Sequence, residues 1–453
     1  MIEEPSRDPT TAPRRPRFTA KGAIAVVAAL AAVGWAFIAI RDSSEAHLWA
    51  RKLKNGEADD RQIAARELRY HAKTPEDLDV SVAALVRSLD DPAPEVRSEV
   101  IGALGEIVLT AMRSEAGPPP ARSAKSLRDA TNSLIAAARD VDPNVRALVV
   151  ALLGAIGPEG PADPAPTVVA ALRDESPLVR TAALKSAGSL GPKADPAIPI
   201  LLKTASGEDR QARAVAARSL EAVKPSPAVV PLLVESLRSP DRETRIRAAT
   251  VLGHIGPGAA GASPDLIARL KEEFKTPLPQ PVPRGPSASY DPGSAVARAL
   301  AQVAPETGAS PETLAALTDA LQTPEDPRHS AIASAFGLLG PRAVPAVPAL
   351  IADLKRATSK DAYAGQVARA LSQIAPGTPA EGEVIAALAE ALKSESDSTR
   401  MGAAWGLGEF GVKAAPALDA LRAVMEKDKS PRVRAQAEES AEMIKPTEVA
   451  ESK

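Results

Sequence analysis

Cysteine is absent from this 453-residue chain. Its absence excludes disulfides, a thiolate nucleophile, Cys-ligated zinc, iron–sulfur clusters and lipidation through an N-terminal cysteine, while leaving the compartment open. Histidine is scarce: His47, His71, His254 and His329 are scattered one at a time, a poor basis for His-rich metal sites or His-based acid–base catalysis. Aromatic residues make up only 2% of the chain. An excess charge of one sign is also missing. With 55 Lys+Arg against 57 Asp+Glu the formal net charge is −2, so no whole-chain field favours nucleic acid or an acidic partner, and any charged function must be local. What is abundant is aliphatic and punctuating: 45% hydrophobic residues, 43 prolines and 28 glycines. Such a length ordinarily means two or three domains unless the chain is one repeat array, so repeats come first.

One long apolar run exists. Residues 22–40 read GAIAVVAALAAVGWAFIAI without a charge, and as a helix they span about 28 Å, enough for the hydrocarbon core of a bilayer. Arg14, Arg15, Arg17 and Lys21 precede the run, whereas Arg41 is followed by Asp42 and Glu45. The positive-inside bias then gives a cytoplasmic tail over 1–21, a single-pass transmembrane signal-anchor over 22–40, and an extracytoplasmic remainder. The alternative is a signal peptide cleaved at Gly34-Trp35-Ala36 and a secreted product, although that cut leaves Phe37-Ile38-Ala39-Ile40 as an apolar terminus. A buried soluble helix is the third reading and lacks the expected polar face.

The rest of the chain repeats. A motif V-R-x-x-A-A-x-x-L-G-x-I-G recurs at Val96-Arg97, Val145-Arg146, Val179-Arg180, Thr244-Arg245 and Thr399-Arg400, with a small residue eight positions after the Arg (Gly105, Gly154, Gly188, Gly253, Gly408). Extending the register to Arg69, Glu221, Ala301, Gly337, Ser372 and Glu442 gives eleven units with a period near 34 and two insertions, the mark of a helical-hairpin solenoid. Positions three, seven and ten after the Arg column are apolar, as in Val100, Leu104 and Ile107 or Ala403, Leu407 and Phe410. Those spacings fall on one helical face, and the small residues between them allow close helix packing without aromatics. Gly-Pro or Ala-Pro pairs such as Gly157-Pro158 and Ala304-Pro305 end many units, so the prolines are helix punctuation. Asp-Pro and Ser-Pro turns at Asp91, Asp142 and Ser176 are placed to cap the second helix of each unit.

The D-P-x-V-R-x-x-A-A-x-x-L-G-x-I-G consensus resembles the bacterial HEAT-like repeats first recognised in phycobilisome lyases, over residues 44–446. The resemblance implies an all-α solenoid: antiparallel helix pairs stacked into a right-handed superhelix, with Asp and Arg forming a ladder between repeats. At about 8–10 Å per helix, eleven units make an arc on the order of 100 Å. Inserts lie near 111–123 and 275–292, and residues 447–453 form a C-terminal tail.

The Arg column (Arg61, Arg97, Arg146, Arg180, Arg213, Arg245, Arg400, Arg434) reads as a structural ladder rather than a phosphate site, because a five-donor guanidinium suits carbonyls and the Asp of a neighbouring turn. Gly293, His329 and Ala364 break the column beside the proline-rich insert 275–292. That insert is either a tolerated excursion or a docking element. Five residues after the column comes a variable row of Lys185, Arg218, Thr250, Arg298, Ser334, Arg369, Trp405 and Glu439. By the resemblance it lies on the concave side, and Lys185, Arg218, Arg298, Arg369 and Trp405 are the candidate partner-binding residues. An ordinary solvated face is the competing reading, and Trp405 could instead belong to the core.

No catalytic signature stands out. Deoxyhypusine hydroxylase, built on similar repeats, holds iron through His-Glu dipeptides, and no His here precedes Glu. HEAT-like DNA glycosylases need a basic, aromatic face, which this composition does not supply. The expectation is therefore a non-catalytic, membrane-anchored scaffold or adaptor with a protein partner and no nucleic acid, cofactor, metal or small-molecule substrate. The alternative is a phycobilin-lyase-like enzyme, or a chaperone subunit binding a chromophore-carrying protein.

Overall fold

The computed structural model describes residues 45–113, 121–275, 291–322, 326, 328–356 and 363–444. The tail 1–21, the apolar segment 22–40, the C-terminal tail 447–453 and most of both inserts lie outside the described residues. Among the described residues the structure is helical, with no strand.

Two compact units divide the chain, residues 1–149 and 150–453. The first contains α1 (Glu45–Asn55), α2 (Ala58–His71), α3 (Pro75–Arg87), α4 (Pro94–Met112) and α5 (Ala121–Ala137), and the division falls inside α6 (Pro143–Ile156). The second continues with α7 (Ala165–Ala171), α8 (Pro177–Ala187), α9 (Ile198–Ala205), α10 (Arg210–Ala222), α11 (Val230–Ser236), α12 (Arg242–Ile255), α13 (Ser263–Lys275) and α14 (Pro292–Val303). It ends with α15 (Pro311–Ala320), α16 (His329–Leu339), α17 (Val347–Arg356), α18 (Ala364–Ile374), α19 (Glu381–Ala391), α20 (Asp397–Glu409), α21 (Leu418–Lys427) and α22 (Pro431–Ile444). Odd-numbered helices open each hairpin and even-numbered helices close it, giving eleven pairs among the described residues.

Local chemistry sets the boundaries. Pro94, Pro177 and Pro292 stand at the first helical position, where a missing N–H costs nothing and φ is already helical. Asp241 and Asp291 cap α12 and α14 by accepting from the amides of Thr244 and Ser294. At the expected caps, Asp142 accepts from the Asn144 amide at 2.8 Å, whereas Ser176 makes no side-chain cap and leaves Pro177 to begin the helix. Gly157, Gly191, Gly256, Gly340 and Gly411 end second helices with φ between 53° and 69°. Only glycine adopts that left-handed turn without strain, so it punctuates these five units, whereas α10, α14 and α18 end without it. Short 3-10 segments such as Gly256–Ala262 and Gly340–Ala346 follow. One described stretch, 329–356, is apolar and long enough to cross a membrane by length and composition. In the fold it is α16, a turn through Gly340 and Pro341, and α17, with Ile332, Phe336, Leu350 and Leu354 buried in the array.

Every residue of the three apolar columns is buried except Ile255, which is half-exposed. Full burial of a Leu or Val contributes about 1.5–3 kcal/mol, so each second helix is held mainly by these three side chains. In the second unit, α8, α10, α12, α14, α16, α18, α20 and α22 each pack on the next, and first helices also pack on first helices, as α13 does on α15 and α17 on α19. The register of the second-helix layer is fixed by small residues. Gly154 lies against Ser186, Gly188 against Ser219 and Ala222, Gly253 against Ala299 and Gln302, Gly337 against Ala370 and Gln373, and Gly408 against Ser440. In each case the eighth position after the column meets the sixth or ninth of the following unit. Neighbouring second helices therefore run side by side in the same direction and in register.

Candidate functional site

The ladder arginines share one kind of contact, and several of them add a second. One Nη donates to the carbonyl six residues back, at the end of the preceding helix: Arg97 to Asp91 (2.8 Å), Arg146 to Asp140 (2.9 Å), Arg180 to Asp174 (2.9 Å) and Arg213 to Gly207 (3.1 Å). Arg245, Arg400 and Arg434 reach Ser239, Ser394 and Asp428 in the same way, at 3.0, 2.8 and 2.6 Å. A fixed cation thereby binds carbonyls of the turn that leads out of that helix. Where the following unit carries a carboxylate, the other edge of the guanidinium grips it: Arg61–Asp91, Arg97–Asp140 and Arg400–Asp428 are bidentate, with both bonds between 2.6 and 3.0 Å. Arg61 and Arg400 hold the carboxyls of Asp91 and Asp428 below the usual range. At Asp140 burial pushes upward, and Arg97 together with the Asp142 amide overcomes it. These guanidiniums are consumed by the scaffold.

At Gly293 the column has no room for a side chain. A Cβ at Gly293 would already lie 3.0 Å from the Phe274 ring and 3.4 Å from Arg328 Cδ. Arg328, one residue before the column, takes over from the next unit: it donates to the Glu273 carbonyl at 2.7 Å, grips Asp326, and stacks 4.1 Å from the Phe274 centroid. The Glu273 carboxylate accepts from Arg245 at 2.9 Å and Arg269 at 2.8 Å. A motif read by columns misses this substitution because Arg328 is displaced by one residue. His329 fills the column position as a buried side chain, edge-on to Tyr363 with centroids 4.9 Å apart. Neither of its ring nitrogens has a hydrogen-bond partner among the described residues, and burial pushes the imidazole below its ordinary range. At Ala364 the adjoining Gly365 lets α20 come close enough that a Cβ on Gly402 would sit 2.6 Å from the Gly365 carbonyl oxygen.

The variable row crosses the face of the second-helix layer turned away from the core. Lys185, Arg218 and Arg298 are exposed, and Arg369 and Trp405 are half-buried. The first four lie on α8, α10, α14 and α18, and none forms an ion pair among the described residues. Arg218 makes a long contact, 3.4 Å, to the Ala214 carbonyl of its own helix. Arg369 lies over the Trp405 ring, 4.9 Å from its centroid. Trp405 is thus neither core nor free surface, because its indole is partly sunk and one face is covered by a guanidinium. The intervening hydroxyls of Thr250 and Ser334 donate to their own helices, to the carbonyls of Ile246 and Ser330. Acids flank the row without entering it before Glu439: Glu221 pairs with Arg247 at 3.4 Å, and Glu409 is exposed.

The family model for HEAT repeats matches residues 131–221, 198–278 and 347–442, together more than half of the chain. The chain belongs to the HEAT-repeat family. The narrower resemblance to phycobilisome-lyase repeats has no separate support. No curated protein matches the sequence. Among solved structures, Kap121p superposes with a TM-score of 0.55 at 16% identity, over 88% of this chain and 45% of that one. Kap121p bound to Pho4p gives 0.54 at 17% over the same shares. Kap95p, from a study of how its binding induces the switch loops of RanGDP to adopt the GTP-bound conformation, gives 0.53 at 14%, over 90% of this chain and 57% of that one. The chain spans about half the length of these structures, and the likeness is one of fold.

Two open grooves lie elsewhere on the HEAT array. One, of about 650 Å³, is lined by Leu53, Lys54, Arg61, Arg87 and Asp91; the other, of about 460 Å³, by Val234, Arg238, Asp265, Arg269 and Glu272. Many of their charged groups are already engaged within the fold, as in Arg61–Asp91 and Arg238–Asp265. Neither groove includes a residue of the row. Among the described residues no cluster of three or more His, Asp or Glu side chains is arranged to hold a metal.

Proposed function

We propose that this HEAT-repeat protein is a non-catalytic scaffold or adaptor that binds another protein across the exposed face of its second-helix layer. The observation that carries the proposal is the row Lys185, Arg218, Arg298 and Arg369, in register on packed helices and without acidic partners among the described residues, where the ladder cations are spent on the fold. Unpaired charge beside a half-exposed Trp is what a recognition surface offers. The fold neighbours support this use: Kap121p has been solved bound to Pho4p and to Ste12p. The proposal extends to location, with residues 22–40 as a single-pass anchor and the array outside the cytoplasm, on the strength of the charge-free run and the basic residues before it.

Changing Arg218, Arg298 and Arg369 together to Glu tests the binding face. Partner capture from cells is expected to be lost while far-UV circular dichroism stays unchanged, and undiminished capture by a folded variant would remove the row from the binding site. For the anchor, the protein should remain in the membrane fraction through high-salt and carbonate washes. Release as a shorter soluble chain would show a cleaved signal.

A further inference from the structure

Resting on the reading of the row as a protein-binding face, we infer the class of its occupant: an extended acidic segment of the partner, lying across the second-helix layer of residues 150–453 with its carboxylates spaced to meet Lys185, Arg218, Arg298 and Arg369. The charge pattern carries this. All four cations occupy the same register position, three are exposed, and among the described residues none of the four is ion-paired to a carboxylate. The nearby acids are drawn off or displaced, since Glu221 pairs with Arg247 and Glu439 accepts from Gln436 at 3.1 Å. A near-neutral chain therefore keeps one line of uncompensated positive charge on a face that packing leaves open.

Geometry fixes the spacing. Adjacent packed helices stand about 8–10 Å apart, so Lys185 on α8 and Arg218 on α10 are separated by roughly 10 Å. Two such steps, about 20 Å, separate Arg218 from Arg298 and Arg298 from Arg369. An extended chain advances about 3.3 Å per residue, which places matching carboxylates near three, six and six residues apart within a segment of about 15–18 residues. At the α20 end the indole of Trp405, partly exposed beneath Arg369, offers an apolar contact to the residue that follows the last acid.

A nucleic acid fits this face less well. Its phosphates recur every few ångströms and its bases call for open aromatic faces. Here the cations are separated by neutral Thr250 and Ser334, carboxylates flank the line, and the one aromatic of the row has a guanidinium on its ring.

The test is fluorescence anisotropy of the full-length chain with labelled 18-residue Gly/Ser peptides. One carries four Glu residues at spacings of three, six and six; a second carries Lys at the same places; a third has the four Glu residues in one block. An 18-nucleotide single strand is the fourth probe. The spaced Glu peptide is expected to bind at least tenfold more tightly than the Lys peptide and several-fold more tightly than the blocked one. It should weaken at least tenfold with Arg218→Glu plus Arg298→Glu. The matched change in net charge on the first-helix layer, Lys203→Glu plus Lys271→Glu, should move it less than twofold. Unchanged binding by the Arg218→Glu/Arg298→Glu chain, equal or tighter binding of the Lys peptide, tighter binding of the oligonucleotide, or no binding of the spaced peptide each overturns the proposal. If partner capture in cells still depends on the row in any of those cases, the row remains a binding face and only the acidic class of its occupant is wrong.

Discussion

Gly402→Ala is the substitution that most sharply tests how the second-helix layer is held. A Cβ at position 402 would stand 2.6 Å from the Gly365 carbonyl oxygen and 2.8 Å from Gly365 Cα. Both are backbone atoms, so no side chain can swing aside, and α18 and α20 must separate by roughly 0.8 Å to regain van der Waals contact. Overpacking of this kind costs about 1–3 kcal/mol, against which the higher helix propensity of Ala returns about 1 kcal/mol. The net expectation is a loss of up to about 2 kcal/mol, concentrated at the α18–α20 contact. Gly102→Ala is the control: nothing lies within 4 Å of its added Cβ, so it should stabilise α4 by about 0.5–1 kcal/mol. Stacked repeats need not unfold as one cooperative unit, so amide hydrogen exchange resolved to α18 and α20 is the appropriate assay, with urea midpoints alongside. Exchange in α18 and α20 as slow in the Gly402→Ala chain as in the parent would refute the close-packing argument.

Three further outcomes follow from the same physics. Arg400→Met removes a bidentate grip on Asp428 and two carbonyl bonds, and because both side chains are less than 10% exposed, the loss should be about 3 kcal/mol by urea denaturation. Lys at that position should recover less than half of it, since a point charge cannot reproduce the fork. His329 is held neutral by burial, so its folded-state pKa lies below the unfolded value and acidification protonates the unfolded chain first. Stability should be flat above about pH 7 and begin to fall below about pH 6.5, and the His329→Gln variant should lack this first decline in urea midpoints taken between pH 7.5 and 5. The carboxyls of Asp91 and Asp428 are depressed, so the stability they contribute is present above their unfolded values and is lost only as pH drops below about 4 and on through the folded ones, a second decline that Asp91→Asn diminishes.

Much of this fold is legible in the sequence because each unit states the same rule again. The columns containing Val100, Leu104 and Ile107 name the core face, and Gly157-Pro158 or Gly340-Pro341 name the helix ends before any coordinates are known. What escapes is whatever departs from the column. Arg328 replaces a ladder Arg from one residue away and from the following unit, and Glu273 replaces a turn Asp from inside a helix. Neither shift has a sequence signal, since both depend on where Phe274 fills space. Ile255 is apolar in sequence yet half-exposed, whereas Leu339, followed by the same kind of 3-10 turn, is buried. The row of Lys185, Arg218, Arg298 and Arg369 could be read as a register position, but its lack of acidic partners could not. Trp405 reads equally as surface or core in the sequence for a physical reason: an indole under a guanidinium belongs partly to each.

The central claim is that a partner protein is held on the second-helix face. The most direct measurement places a photoreactive benzoyl-phenylalanine at Thr250 or Ser334, inside the row, and separately at Leu232 or Lys271 on the first-helix layer, and irradiates living cells. Protein adducts are expected from Thr250 and Ser334 and none from the other two positions. Adducts confined to Leu232 and Lys271, or no adduct from either row position, would contradict it.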